Sequence, residues 1–193
     1  MGNDAETRVL DAAQRCCDRW GIAKVTIDDI ATDAGVSRAT IYRMFPGGKD
    51  VLFEALRVRG LEEFFAVLQA RIVGADSLEE LLVRTVVGAT LELRADDHLA
   101  LMLASEPGTM LGQLTVEGLP RIIRFATALL APLAEPYLAD RRAARALIDV
   151  LARLTISYFL SPSDFVDLGD EASARAFIAP LLRPFTITTP VSL

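Results

Sequence analysis
Two helix starts lie close together in residues 26–45, TIDDIATDAGVSRATIYRMF, and this crowding constrains the fold more than any other feature of the 193-residue chain. Thr26 is placed to accept a hydrogen bond from the backbone N–H of the third residue of a helix beginning at Ile27, with Asp28 and Asp29 at the positive end of its dipole. Ile27, Ile30, Ala31 and Ala34 recur at i, i+3, i+4 and i+7 and form a narrow packing stripe. Gly35 supplies the left-handed conformation of a tight turn, and Ser37 caps a second helix at once. Two short helices joined by a turn containing Gly form a helix-turn-helix, whose second helix enters the major groove of DNA.

A wheel at 100° per residue places Ile41, Met44 and Phe45 on one side of that second helix and Arg38, Ala39, Tyr42 and Arg43 on the other. The outward side thus carries two guanidinium groups suited to guanine edges or phosphates, and a phenol. Ala39 is small enough to let the helix lie close to the bases, and Thr40 at the flank is placed for a phosphate contact. Lys49 follows a Pro-Gly-Gly turn at 46–48 and starts a long helix, where a cation opposes the helix dipole unless an anion is nearby. A phosphate at that N-terminus would reverse the sign, whereas a solvated lysine is the bland alternative.

These residues resemble the TetR type of bacterial repressors. The resemblance runs over residues 9–53 and includes Ala13, Gly21, Thr26, Ile30, Ala31, Ala34, Gly35, Val36, Ser37, Thr40, Tyr42, Phe45, Lys49 and Leu52. It implies a three-helix DNA-binding domain, a larger helical domain with an effector pocket, and a homodimer built on the last two long helices. It further implies that Thr26, Thr40, Tyr42 and Lys49 hold phosphates while Ser37, Arg38, Ala39 and Arg43 face bases. Three departures stand out: Cys17 replaces an aromatic residue, Met44 replaces a Tyr or His, and one extra Gly lies between Phe45 and Lys49.

A formal net charge of −6 argues against DNA binding through bulk charge, but that charge is unevenly spread. Residues 1–59 carry nine basic and nine acidic side chains, while the remaining 134 carry eleven and seventeen. All of the excess negative charge therefore lies after residue 59, and both lysines, Lys24 and Lys49, lie before it. Apolar residues make up 52% of the chain, above the usual share, which points to deeply buried helices or to apolar surface kept for a ligand or partner. No apolar run approaches the roughly 20 residues of a membrane span, and the N-terminus lacks the basic start and apolar stretch of a signal peptide. The expected location is cytoplasmic. Cys16 and Cys17 are adjacent on a helix, point about 100° apart and cannot bridge, so they read as reduced packing residues.

Helical periodicity dominates, with no strand-like alternation, so the expected fold is all-α with about nine helices. A helix over residues 4–20 presents Val9, Leu10, Ala13, Cys17 and Trp20 on one face. After the helix-turn-helix come a helix over 49–73, one capped by Ser77 with Glu80 at capping-box spacing, and one from Asp96 and Asp97 to before Pro107. Pro120 fits the first turn of a helix to about residue 130, and Pro132 and Pro136 mark a loop or kink. Asp140 caps a helix to about 160, and a last helix spans 170–182. The expected domains are a helix-turn-helix domain over 1–50, a helical effector-binding and dimerisation domain over 51–183, and a tail over 184–193.

For dimerisation, Ala143, Leu147, Val150, Leu151, Leu154 and Tyr158 line one broad face, with Phe177 and Leu181 on the following helix. Small and apolar residues there let helices approach closely across a two-fold axis; the alternative is an intramolecular core. An effector pocket is expected among residues 60–135, with Phe64, Leu68, Leu91, Met102, Met110, Ile122 and Phe125 supplying an apolar lining for a hydrophobic or amphipathic effector. His98, the only histidine, stands beside Asp96 and Asp97 and reads as a solvated helix start, since a metal site needs more donors. Ser161 and Ser163 have no histidine partner, and no phosphate loop or metal-ligand spacing occurs, so neither catalysis nor a cofactor is expected. The expectation is a one-component, homodimeric regulator, a repressor that binds a palindromic operator in double-stranded DNA and releases it when an effector binds, with the helix from Lys49 transmitting the signal. The alternative is a helical carrier of apolar ligands that binds no DNA.

Overall fold
The computed structural model describes residues 2–96 and 118–183, with side chains from Asp4 onward. Eight α-helices occur among them: α1 (Gly2–Trp20), α2 (Ile27–Ala34), α3 (Arg38–Met44), α4 (Lys49–Ile72), α5 (Leu78–Ala95), α6 (Leu119–Ala134), α7 (Arg141–Leu160) and α8 (Glu171–Leu182). The chain is all-α, and it divides into two compact units, Met1–Glu63 and Phe64–Leu193, with the division inside α4. Asp96, expected to start the next helix with Asp97, instead ends α5 as its C-cap; the rest of that expected helix to before Pro107, with His98 and Met102, and Met110 and the tail over 184–193 lie outside the described residues.

The first unit is built around Val9, Ala12, Ala13, Cys16 and Cys17 of α1, Ile27, Ile30 and Ala31 of α2, Ile41 of α3, Phe45, and Leu52, Phe53 and Leu56 of α4. Two ion pairs tie its helices at the rim: Arg15 to Asp33 at 2.6 Å and Arg59 to Asp11 at 2.6 Å. Both thiols are buried. Burial pushes the Cys17 thiol up to about 11 and raises that of Cys16, so both stay protonated and poorly nucleophilic near neutral pH. Trp20 departs from the expected face: it is 42% exposed, its ring lying 5.2 Å beneath the Arg19 guanidinium. Trp20 is the last residue of α1, so its ring lies at the end of the helix, past the turns that bury Val9, Ala13 and Cys17.

In the second unit α5 packs against both α7 and α8, and α6 packs along α7. Leu78, Leu81, Leu82, Val83, Val86 and Ala89 bury α5 on most of its circumference. The hydroxyls of Thr85 and Thr90, also buried, donate to the Leu81 and Val86 carbonyls at 2.7 and 2.8 Å, which removes the cost of their desolvation. Ser77, Asp140 and Asp170 cap α5, α7 and α8 through their side chains. Glu80 sends its carboxylate to the backbone N–H of Asp76, one residue short of a reciprocal capping box.

Two expectations change here. Helix α6 does not stop near residue 130 but continues through Pro132 to Ala134, followed by a 3-10 turn, Glu135–Tyr137, that holds Pro136. Proline deprives the Ala128 carbonyl of its helical partner, but Ala128 is exposed, so water can satisfy it, while Ala131 and Ala134 are fully packed. The broad apolar face expected for dimerisation on α7 is also divided. Leu147 and Leu151 are 2% and 5% exposed and belong to the chain's own core with Ala144 and Ile148, whereas Val150 is 48% exposed and Ala143 and Leu154 are half-buried beside it. Tyr158 meets Phe177 of α8 edge to face, ring centroids 5.3 Å apart. On a helix apolar over more than half its circumference, a wheel cannot tell the inward stripe from the outward one.

Ile30→Ala is expected to cost about 2–5 kcal/mol of stability because it empties a fully enclosed site, whereas Trp20→Ala should cost less than about 1 kcal/mol. Denaturant unfolding of the two variants checks the contrast, and equal losses would contradict the outward placement of Trp20.

Candidate nucleic-acid interface
Helix α2 begins with a complete capping box. Thr26 Oγ1 accepts from the Asp29 N–H at 3.2 Å, while the Asp29 carboxylate accepts from the Thr26 N–H at 2.9 Å and from its hydroxyl at 2.6 Å. The Thr26 hydroxyl first, and its backbone N–H second, hold the Asp29 carboxyl below the ordinary carboxylate range. At the other end Gly35 takes the left-handed conformation (φ 66°, ψ 36°), and the Val36 N–H reaches the Ala31 carbonyl at 3.0 Å. Ser37 then caps α3, its Oγ accepting from the Thr40 N–H at 3.1 Å and sharing a hydrogen bond of 2.9 Å with the Thr40 hydroxyl.

Helix α3 sits on the first unit through Ile41, fully buried, and Phe45, 3% exposed, with Met44 packed partly against the same core. Arg38, Ala39, Tyr42 and Arg43 are all exposed, as the wheel places them. The two arginines differ. Arg38 Nε lies 3.1 Å from Asp28 Oδ1, whereas Arg43 makes no ion pair with any described residue.

The turn into α4 decides where Tyr42 and Lys49 stand relative to each other. Gly47 and Gly48 have φ of 117° and 68°. A Cβ on Gly48 would meet Tyr42 Cε1 at 2.9 Å, and one on Gly47 would meet Val51 Cγ2 at 2.6 Å. The Tyr42 ring therefore lies against the bare backbone of Gly48, at the doorstep of α4, and the glycine pair is required twice over, by conformation and by space. Lys49, the first residue of α4, extends over the Phe53 ring, its Nζ 5.4 Å from the centroid. The eight residues expected at a DNA face, Thr26, Ser37, Arg38, Ala39, Thr40, Tyr42, Arg43 and Lys49, thus all belong to the first unit. They are linked by the α2 cap, the Asp28 pair and the Tyr42–Gly48 contact. Asp28 as the partner of Arg38, and Gly48 as the seat of Tyr42, were missing from the sequence reading, since no periodicity links positions across a turn.

The apolar set proposed for an effector is more scattered. Phe65 lies between Phe64 and Phe125, with centroids 5.2 and 5.3 Å away, and Leu68 is buried where α4 meets Gly88 of α5. Ile122 is half-buried and Leu91 is 40% exposed. Two cavities among the described residues have other linings. One of about 120 Å³ lies among Thr90, Arg94, Tyr158, Ser163 and Asp167, and one of about 240 Å³ among Arg71, Val83, Arg84, Gly88 and Glu171.

Thr26→Ala is expected to cost about 1 kcal/mol through loss of the cap. In the same variant the Asp29 carboxyl should titrate closer to the ordinary value of about 3.9. A lowered pKa in the folded state means that this contribution is present above about pH 4 and fades as pH falls through the folded value. NMR titration of Asp29 in both proteins checks the sign. Gly48→Ala forces a side chain into the left-handed region and against Tyr42, at an expected cost of about 1–2 kcal/mol or more. Denaturant unfolding reads it, and an unchanged midpoint would contradict the contact.

Residues 9–56 match the family model described as bacterial regulatory proteins, tetR family. Among relatives, an uncharacterized HTH-type transcriptional regulator of Mycobacterium bovis is 36% identical over 55% of this chain and 55% of its own length. The chain thus matches about half the length of that relative. A second such regulator, of Mycobacterium tuberculosis, is 29% identical over 97% of this chain and 87% of its own. The crystal structure of the TetR-family repressor AlkX of Dietzia sp., implicated in biodegradation of n-alkanes, superposes with a TM-score of 0.66 at 27% identity over 93% of this chain and 96% of that one. Residues 9–56 thus carry a domain of the tetR type of bacterial regulatory proteins, and the fold around it is similar to that of a solved TetR-family repressor.

Proposed function
We propose that this chain is a one-component transcriptional regulator, a repressor that acts as a homodimer on a palindromic operator. The observation that carries the reading is the division of α3 into a buried side, Ile41 and Phe45, and an exposed side, Arg38, Ala39, Tyr42 and Arg43. A helix anchored on one side and carrying two guanidiniums, a phenol and a small residue on the other is built to lie in a major groove. Ser37, Arg38, Ala39 and Arg43 face the bases, and Thr26, Thr40, Tyr42 and Lys49 hold the phosphates on either side. Lys49 and the free N–H groups of the first turn of α4 then meet an anion, which offsets the unfavourable position of a cation at a helix start.

Two-fold symmetry in the operator calls for a second copy of the chain. The outward flank of α7, Ala143, Val150 and Leu154, with Phe177 and Leu181 of α8, supplies small and apolar residues for that contact. The effector is hydrophobic or amphipathic and is received in the second unit, Phe64–Leu193, with Phe64, Ile122 and Phe125 the favoured apolar contacts; the n-alkane connection of AlkX supports that ligand class. Effector binding biases α4, whose one continuous helix begins at the DNA face and ends beyond the division between the units.

Selection of bound duplexes from fragmented genomic DNA should recover palindromic sites. Binding to them should weaken steeply with salt, and Arg43→Ala should lower affinity by about 1–3 kcal/mol and relax base preference at one position. Retention of no duplex even at low salt would leave the helical-carrier reading in its place.

A further inference from the structure
Asp28 and Arg38 form the one contact in which a base-facing side chain of α3 is held by an acid of the same chain among the described residues. The capping of α2 does not use Asp28, because Thr26 and Asp29 complete the box between them. Arg38 in turn opens α3, where a cation faces the positive end of the helix dipole and gains from a carboxylate beside it. Both side chains stay about 60% exposed, 60% for Arg38 and 62% for Asp28, so the pair is open to a competitor.

We propose that Asp28 is an internal competitor for DNA. It is a positioning residue that pairs with the Arg38 guanidinium in the free protein, so that DNA is bound less tightly than α3 alone would allow. The reasoning rests on the DNA-binding reading above. A phosphate or a guanine edge offers the guanidinium the same acceptor chemistry that Asp28 does. To take either, Arg38 must leave Asp28, or else carry a carboxylate with it toward a row of phosphates. Each route lowers affinity: the first by the worth of an exposed ion pair, the second by like-charge repulsion. Asp28 also belongs to the balance of nine acids against nine bases in residues 1–59, which keeps the reading head from holding DNA through charge alone.

The test compares wild type, Asp28→Asn, Arg38→Ala and the double variant by fluorescence anisotropy on two labelled duplexes, the genomically selected fragment and a scrambled one, over a range of salt. Asp28→Asn should tighten binding to the selected fragment by about two- to tenfold, and its plot of log affinity against log salt should steepen by up to about 1. In the Arg38→Ala background the same change should tighten binding by less. Tightening of equal size in both backgrounds, or none, overturns the proposal while leaving the DNA-binding reading intact. Failure of wild type to bind either duplex overturns both. Thermal unfolding of each variant separates lost folding from lost binding.

Discussion
Helix α3 is only seven residues long, too short to be stable on its own in water, so everything it presents depends on what holds its other side. That hold is the burial of Ile41 and Phe45 in a core shared with α1, α2 and the start of α4. Side chains four apart on one face fix the rotation of the helix, and a capped start at Ser37 fixes where it begins. With rotation and start both set, Arg38, Ala39, Tyr42 and Arg43 have no choice but to face outward. The exposed face of α3 is thus a consequence of packing on its reverse, and a cavity beneath Ile41 would loosen it without touching a single exposed residue.

The turns carry the second constraint. Gly35 closes α2 in the left-handed region, and Gly47 and Gly48 swing the chain from α3 into α4 with positive φ at both positions. Side chains are excluded at 48 because the Tyr42 ring occupies the space. The glycine at position 48 therefore has a structural role. It lets an aromatic residue of α3 rest on the backbone at the entrance to α4, so that Tyr42 and the N-terminal N–H groups beside Lys49 stand together.

Electrostatics modulate this frame rather than build it. Arg15, Arg57 and Arg59 are each engaged by a carboxylate, and Arg38 is engaged more openly by Asp28, which leaves Arg43 as the exposed arginine of α3 without an ion pair among the described residues. Exposed pairs of this kind contribute about 1 kcal/mol or less to folding, so they tune which cations reach a ligand more than they hold the helices in place. With nine bases against nine acids, residues 1–59 carry no net charge to attract a ligand, so contacts made there rest on the geometry of the exposed side chains and turns.

Sequence alone determined whatever rests on local rules. The Thr26 and Ser37 caps, the Gly35 turn, the inward Ile41 and Phe45 and the outward Arg38, Tyr42 and Arg43 follow from hydrogen-bond reach and a period of 3.6 residues. The tertiary structure decided whatever depends on which of several apolar stripes meets a neighbour. Leu147 and Leu151 turned inward while Val150 stayed out, Trp20 at the end of α1 stayed 42% exposed, and α6 ran on through Pro132 because the Ala128 carbonyl freed by that proline could be hydrated. It also decided the pairs that bridge turns, Asp28 with Arg38 and Tyr42 with Gly48. Such pairs leave no periodic trace, because the distance between two side chains across a turn is set by the angle between two helices, and that angle is chosen by the packing of the whole unit.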